Sequence, residues 1–203
     1  MFARYATVRG APDKIEAAIE YTDGEARAAV EAAPGNLGFA VVADPAGGRL
    51  IGASYWDSRE SMTKSESALG KVRAGAAKRA GGEVSVERFE VVEGFRHSIP
   101  ARGALARLAR FQVEPARVEE AITRIREESV PRVKGADGLC SFQLLVDRDS
   151  GNGMIVSAWE NQESAEAFWP TAEQLRAQAS QQAGVRFHDV ENYAMIRSTV
   201  QLG

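Results

Sequence analysis

The sequence predicts an α+β fold built from two tandem copies of one βαββαβ module. Three observations predict it: a self-match at a single offset, the same element order in each copy, and a connection between them that can extend neither. Trp159 stands 103 positions after Trp56. That shift lays FARYATVRGAPDKIEAAI (Phe2 to Ile19) over LARLARFQVEPARVEEAI (Leu105 to Ile122) without a gap. It also lays PGNLGFAVVADPAGGRLIGASYWDSRES over DGLCSFQLLVDRDSGNGMIVSAWENQES, bringing Phe39, Ser54, Trp56 and Glu60 onto Phe142, Ser157, Trp159 and Glu163. Two separate blocks in one register are hard to obtain by chance. A third block, EVSVERFEVVEGF against VRFHDVENYAMI, is expected to need a shift of about two residues, from a shorter connection in the second copy. HSIPARG (His97 to Gly103) reads as the linker, because its proline and glycine prolong neither strand nor helix. The modules are therefore residues 1–98 and 103–203, with the boundary near Ile99.

Each element has a local reason. Phe2 to Val8 carries β-formers; Pro12 then opens a helix at its first turn, with Ile15, Ala18 and Ile19 at helical spacing and Gly24 as a candidate interruption. LGFAVVAD is the second strand, and DPAGGR is a turn of residues that tolerate positive φ, leading to LIGASYW as its hairpin partner; DRDSGNG does the same in the second copy. That loop joins two strands and opens no helix, so it is not a phosphate cradle. A second helix runs from about Ser58 to Lys78 and stops at Gly81 and Gly82; its counterpart, from about Gln162 to Gln182, stops at Gly184.

This order is the ferredoxin-like one, four antiparallel strands with both helices on one face. AVVA (Ala40 to Ala43) and LLV (Leu144 to Val146) are apolar at consecutive positions, so both faces of the sheet require cover. The expected cover is the other copy, sheet packed face to face on sheet. At roughly 25 cal/mol per Å² of apolar area, leaving those faces bare is too costly. The chain is thus expected to be a pseudo-dimeric monomer, with further homo-oligomerisation left open.

Composition narrows the function. Across 203 residues, 44% hydrophobic and 26% charged content suits globular cores, and a net charge of −3 supplies no cationic surface for nucleic acid or an anionic membrane. Neither partner is expected. Cys140 is the only cysteine, which excludes an intramolecular disulfide and a cysteine-based metal cluster within one chain and fits a reducing compartment. The N-terminal stretch meets Gly10 and Pro12 too early for a signal peptide, and no apolar run approaches the roughly 20 residues that span a bilayer. A soluble, cytoplasmic protein is expected.

The third strand ends in tryptophan and runs into a helix through Ser or Asn and a glutamate, SYWDSRES in one copy and SAWENQES in the other; a short first strand leads to Pro12 and Pro115. In these features the chain resembles the antibiotic biosynthesis monooxygenase (ABM) family of the dimeric α+β barrel superfamily, over nearly its whole length, twice. The resemblance implies a cavity between sheet and helices in each module. It also implies, in some members, oxygenation of phenolic or quinol substrates without metal or flavin, so no cofactor is expected. Other members degrade haem with a second-helix histidine and a first-strand asparagine. The helices after Trp56 and Trp159 contain no histidine, and the first strands offer Ala3, Arg4, Ala106 and Arg107 in place of asparagine. Haem degradation ranks last.

The candidate catalytic residues are His188, Arg107 and Trp159; the candidate substrate-binding residues are Asn192, Tyr193, Trp169, Phe142, Trp56 and Arg4. No metal site is expected. Trp56 and Trp159 share a strand face with Ser54 and Ser157, and read either as core plugs or as cavity walls. Arg4 and Arg107 lie within apolar strands and need partners, either a last-strand carboxylate such as Glu90 or Asp189, or a substrate oxyanion. Trp169 with Phe168, and Tyr5 with Tyr55, read as packing or as ligand contacts. His188, beside Asp189, Asn192 and Tyr193, is placed as a base for a phenol, whereas His97 reads as a solvated linker residue. Copy one has no last-strand histidine, so the chemistry is expected in copy two. The leading expectation is a cofactor-independent monooxygenase acting on a small electron-rich aromatic molecule (phenol, quinol or polyketide). The alternatives are a non-catalytic small-molecule-binding module and, last, haem binding or degradation.

Overall fold

The fold is that of a computed structural model describing residues 1–202. The chain divides into two compact units, Met1–Phe89 with Tyr193–Gln201, and Glu90–Asn192 with Leu202.

In unit 1, β1 (Phe2–Arg9), β2 (Asn36–Asp44) and β3 (Arg49–Trp56) form one antiparallel sheet in which β1 and β2 flank β3. Helix α1 (Ile15–Tyr21), a π-helical turn (Thr22–Ala26) and α2 (Arg27–Glu31) join the first two strands; α3 (Arg59–Lys64) and α4 (Glu66–Ala80) lead to β4 (Glu83–Arg96). Ile15, Ala18 and Ile19 bury the inner stripe of the first helix against the sheet, as their spacing predicts. Ser58 caps α3, its hydroxyl accepting from Ser61 N at 3.1 Å, which explains the Trp-to-helix motif as a strand end followed by an N-cap.

Unit 2 repeats this with β5 (Leu105–Gln112), α5 (Val118–Arg124), a second π-helical turn (Ile125–Ser129), α6 (Val130–Lys134), β6 (Leu139–Val146), β7 (Asn152–Trp159), α7 (Gln162–Ala167), α8 (Trp169–Ala183) and β8 (Arg186–Ser198). Asn161 caps α7 as Ser58 caps α3, accepting from Ser164 N at 2.9 Å. β5 and β6 flank β7. All eight residues of β6 are buried, so both of its faces are covered, as its apolar run required.

The two last strands divide between the units. Within unit 1, residues 194–198 of β8 pair antiparallel with β2, Ala194 opposite Ala43 and Ser198 opposite Ala40. Within unit 2, Glu90–Arg96 of β4 pair with Ser141–Val146 of β6, and the first half of β8 runs beside β5.

Three local expectations are corrected. α4 and α8 both end on a left-handed glycine, Gly81 at φ 63° and Gly184 at φ 69°, and β4 and β8 open at Glu83 and Arg186. The offset of the first two blocks therefore persists into the third, and no two-residue shortening occurs, because the preceding helices are both 15 residues long. The α-helix does give way around Gly24, to a π turn over Thr22–Ala26, but the glycine is not what breaks it, since unit 2 makes the same turn over IREES without one. The first helix starts at Ile15, after a turn that holds Pro12. No helix among the described residues is long and apolar enough to cross a membrane.

Candidate functional site

Each unit holds a cavity between its sheet and its helices, of about 40 Å³ in unit 1 and about 70 Å³ in unit 2. Strand alternation sets the floor. In unit 2 the cross-strand row Arg107, Ser157 and Phe142 points into the cavity, and in unit 1 the row Arg4, Ser54 and Phe39 does the same. The π turns supply the facing wall, with Thr22 and Ala26 in unit 1 and Ile125 and Ser129 in unit 2. Such turns widen the helix locally and recur at functional sites.

Trp159 is a wall of the unit 2 cavity. Its Nε1 donates to Ser157 Oγ at 2.9 Å, which satisfies the only polar atom of the indole, and Phe168 lies against the ring with centroids 5.3 Å apart. Trp56 makes the matching bond to Ser54 Oγ at 3.0 Å and is buried like Trp159, but it does not line the unit 1 cavity. The two readings of the tryptophans therefore separate: Trp56 is a core plug, Trp159 a cavity wall.

The arginines separate further. Arg4 is buried, donating through Nη1 to Ser65 Oγ at 3.0 Å and through Nη2 to the Met62 carbonyl, and pairing with Glu66 at 3.0 Å. Glu66 also binds Arg73 and, at 3.1 Å, Arg88. Burial lowers the Arg4 guanidinium to about 10; Glu66 opposes the shift and Arg73 and Arg88 add to it. The expected carboxylate partner in the last strand is corrected, since Arg4 pairs with a helix residue and Glu90 pairs instead with Arg148 at 2.8 Å.

Arg107 donates through Nε to Asn192 Oδ1 and through Nη1 to the Ala165 carbonyl, both at 3.0 Å. Its guanidinium carbon lies 4.7 Å from the centre of the Trp169 ring, and that of Arg176 lies 4.5 Å from the same ring. The one indole ring thus meets two cations. Burial lowers Arg107 below the ordinary arginine range and the Arg176 cation lowers it further, against Glu166; burial lowers Arg176 as well, against Glu173. Among the described residues, neither cation forms an ion pair with a carboxylate, and the side chain of Asp189, the other carboxylate expected for Arg107, lies outside them.

The remaining candidates scatter. Phe142 lines the cavity and stacks on Phe95 at 5.5 Å. His188 is exposed and does not line the cavity, because its neighbour Phe187 takes the inward position and alternation turns the next side chain away. The placement of His188 as a base facing the cavity is thereby corrected. Tyr193 falls in unit 1, where it lies under the Arg49 guanidinium at 5.3 Å. Tyr5 and Tyr55 pair through their hydroxyls at 2.6 Å in the core of unit 1. Arg176, Ser129 and Phe187 line the unit 2 cavity and were not singled out from sequence. Arg176 had a legible signal, since the repeat offset, carried on into the second helix, pairs it with Arg73.

The family model of the antibiotic biosynthesis monooxygenases matches residues 1–69 and again 104–180. The chain belongs to the antibiotic biosynthesis monooxygenase family. An uncharacterized protein of Mycobacterium tuberculosis (strain H37Rv) is 27% identical over 184 residues, covering 91% of this chain and 82% of that protein. A proposed monooxygenase of Fusobacterium nucleatum superposes at a TM-score of 0.75 with 13% identity, covering 100% of this chain and 95% of the other. An anthrone oxidase-like protein superposes at 0.71 with 16% identity, covering 97% and 92%. At these identities the structural likeness establishes the ABM fold and carries no activity with it.

Proposed function

We propose that this ABM protein is a cofactor-independent monooxygenase that oxidises an electron-rich aromatic molecule in the unit 2 cavity, within the cytoplasm. One observation carries the reading: that cavity joins an aromatic wall, Trp159, Phe142, Phe168 and Phe187, to the buried cation Arg107. A phenolic substrate lies with its ring against Trp159. Arg107 stabilises the phenolate, a fixed cation in a water-poor site being worth far more than one in water. With His188 facing away, the phenol's proton leaves to solvent. The anion delivers its electrons to dioxygen. In sum a ring methylene, the keto form of the phenol, and O₂ become a carbonyl and water, so the substrate supplies all four electrons. In this reading residues 1–98 and 103–203 are the two modules, and only the second is catalytic.

The test is oxygen uptake by metal-free protein with a panel of phenols, quinols and anthrones, with ¹⁸O₂ label expected in the product carbonyl. Arg107→Gln is expected to lower turnover about 100-fold. The exposed position of His188 favours a second reading, a binding module of the same cavity with no base of its own. Retained ligand with no oxygen uptake across the panel would establish that reading in place of the first.

A further inference from the structure

The repeat offset places Trp169 where unit 1 has Glu66, with Arg107 and Arg176 where unit 1 has Arg4 and Arg73. The substitution changes what the cations are free to do. In unit 1 the Glu66 carboxylate holds Arg4, Arg73 and Arg88 at once, and Ser65 Oγ and the Met62 carbonyl take further donors of Arg4. In unit 2 the Trp169 ring meets both guanidinium groups by cation–π attraction, which neutralises neither. Phe168 replaces Ser65, so Arg107 loses that hydroxyl partner, and its Nη2 has no hydrogen-bond acceptor among the described residues. Arg107 and Arg176 both line the apolar cavity. A buried and a half-buried cation lining one apolar cavity, with no carboxylate paired to either among the described residues, make a place that is incomplete without an anion.

We propose that the unit 2 cavity takes aromatic monocarboxylates, the carboxylate bound by Arg107 and Arg176 and the ring among Trp159, Phe142 and Phe187. Unit 1 is closed to the same ligands, because Glu66 is already the carboxylate between its two arginines. Each chain therefore binds one such molecule. The inference names the substrate class of the proposed site; it rests on unit 2 holding the ligand cavity and is independent of oxygenation.

Benzoate and benzamide share a shape and differ in charge, so they serve as probes. The intact chain is titrated with each by tryptophan fluorescence, and stoichiometry is read by equilibrium dialysis. Benzoate is expected to bind once per chain and at least about tenfold tighter than benzamide at low salt, as charge-assisted bonds to paired arginines require. Arg176→Gln is expected to shrink that preference to about twofold or less. Glu66→Ala is expected to admit a second benzoate; Glu66→Trp, which rebuilds the indole of unit 2, replaces it if the alanine variant does not fold by circular dichroism. Equal affinity for the two probes, no benzoate binding, an unchanged preference in Arg176→Gln, or one benzoate per chain in a folded Glu66 variant overturns the proposal. Benzoate carries no phenol, so failed oxygen uptake would remove the monooxygenase reading and leave the carboxylate preference standing.

Discussion

Units 1 and 2 carry the same strands, the same π turn and the same buried arginine, yet one finishes its polar cluster with a carboxylate and the other with an indole. Around Glu66 three arginines share one carboxylate and the cavity is small; around Trp169 two arginines meet an uncharged ring and the cavity is larger. The difference teaches that a duplicated module can change the charge balance beside its cavity through one residue that does not itself line that cavity. A second divergence is purely steric. Leu50 and Val8 pair across strands in unit 1, and their equivalents Gly153 and Phe111 pair in unit 2. Bulk has moved from one strand to its neighbour: a Cβ on Gly153 would collide with the Phe111 ring.

The largest expected effect tests how each unit is assembled. Unit 1 includes Tyr193–Gln201, which pairs with β2. A fragment of residues 1–98 lacks that strand and leaves a row of unpaired backbone groups beside Val41 and Val42. It is expected to associate or precipitate, read by light scattering; a stable soluble monomer would break the description of the unit. Next comes the steric swap. Gly153→Leu alone is expected to cost about 3 kcal/mol by overpacking, and Gly153→Leu with Phe111→Val, which rebuilds the unit 1 pair, to return within about 1 kcal/mol of wild type. Urea unfolding of the two single variants and the double variant measures the coupling.

Smaller effects sharpen the electrostatic contrast. Glu66→Gln strips the counter-charge from Arg4 and is expected to cost about 2 kcal/mol, reduced from the loss typical of a buried pair because the Glu66 side chain is 39% exposed. The sign with pH follows from its shift. Burial raises the Glu66 carboxyl, but the hydrogen bond from Arg88 and the charges of Arg4 and Arg73 outweigh it, and the folded value lies below the ordinary glutamate range. The unfolded chain therefore binds the proton more readily. The stabilisation is complete above the ordinary glutamate range and is lost as pH falls through the folded value. Urea midpoints measured from pH 7 down to pH 3 are expected to fall less steeply in Glu66→Gln than in wild type. The smallest effect separates the tryptophans. Trp56→Phe and Trp159→Phe should each cost about 1–2 kcal/mol. Only Trp159→Phe is expected to change ligand affinity, because Trp159 lines the unit 2 cavity and Trp56 does not line that of unit 1.

The sequence by itself determined the element order, the repeat and its offset, the caps at Gly81 and Gly184, and the burial of both faces of β6. These follow from side-chain period, turn chemistry and self-similarity, all local in the chain. It also placed Trp159 on one strand face with Ser157, since alternation carries residues two apart to the same side; the register that sets Arg107 and Phe142 beside Ser157 came from the folded sheet. Tertiary structure alone decided what those residues meet. Arg4 found its carboxylate on α4 rather than in a strand, because the guanidinium reaches across the helix layer to a residue 62 positions away in the chain. His188, polar and beside Asn192, read as part of a site, yet the parity of β8 is set by its pairing with β5 and turns Phe187 inward instead. Tyr193, one residue beyond Asn192, left the second cavity altogether, because β8 passes at that residue from one unit to the other. Parity, reach and strand partnership are properties of packed elements, so no window of sequence could hold them.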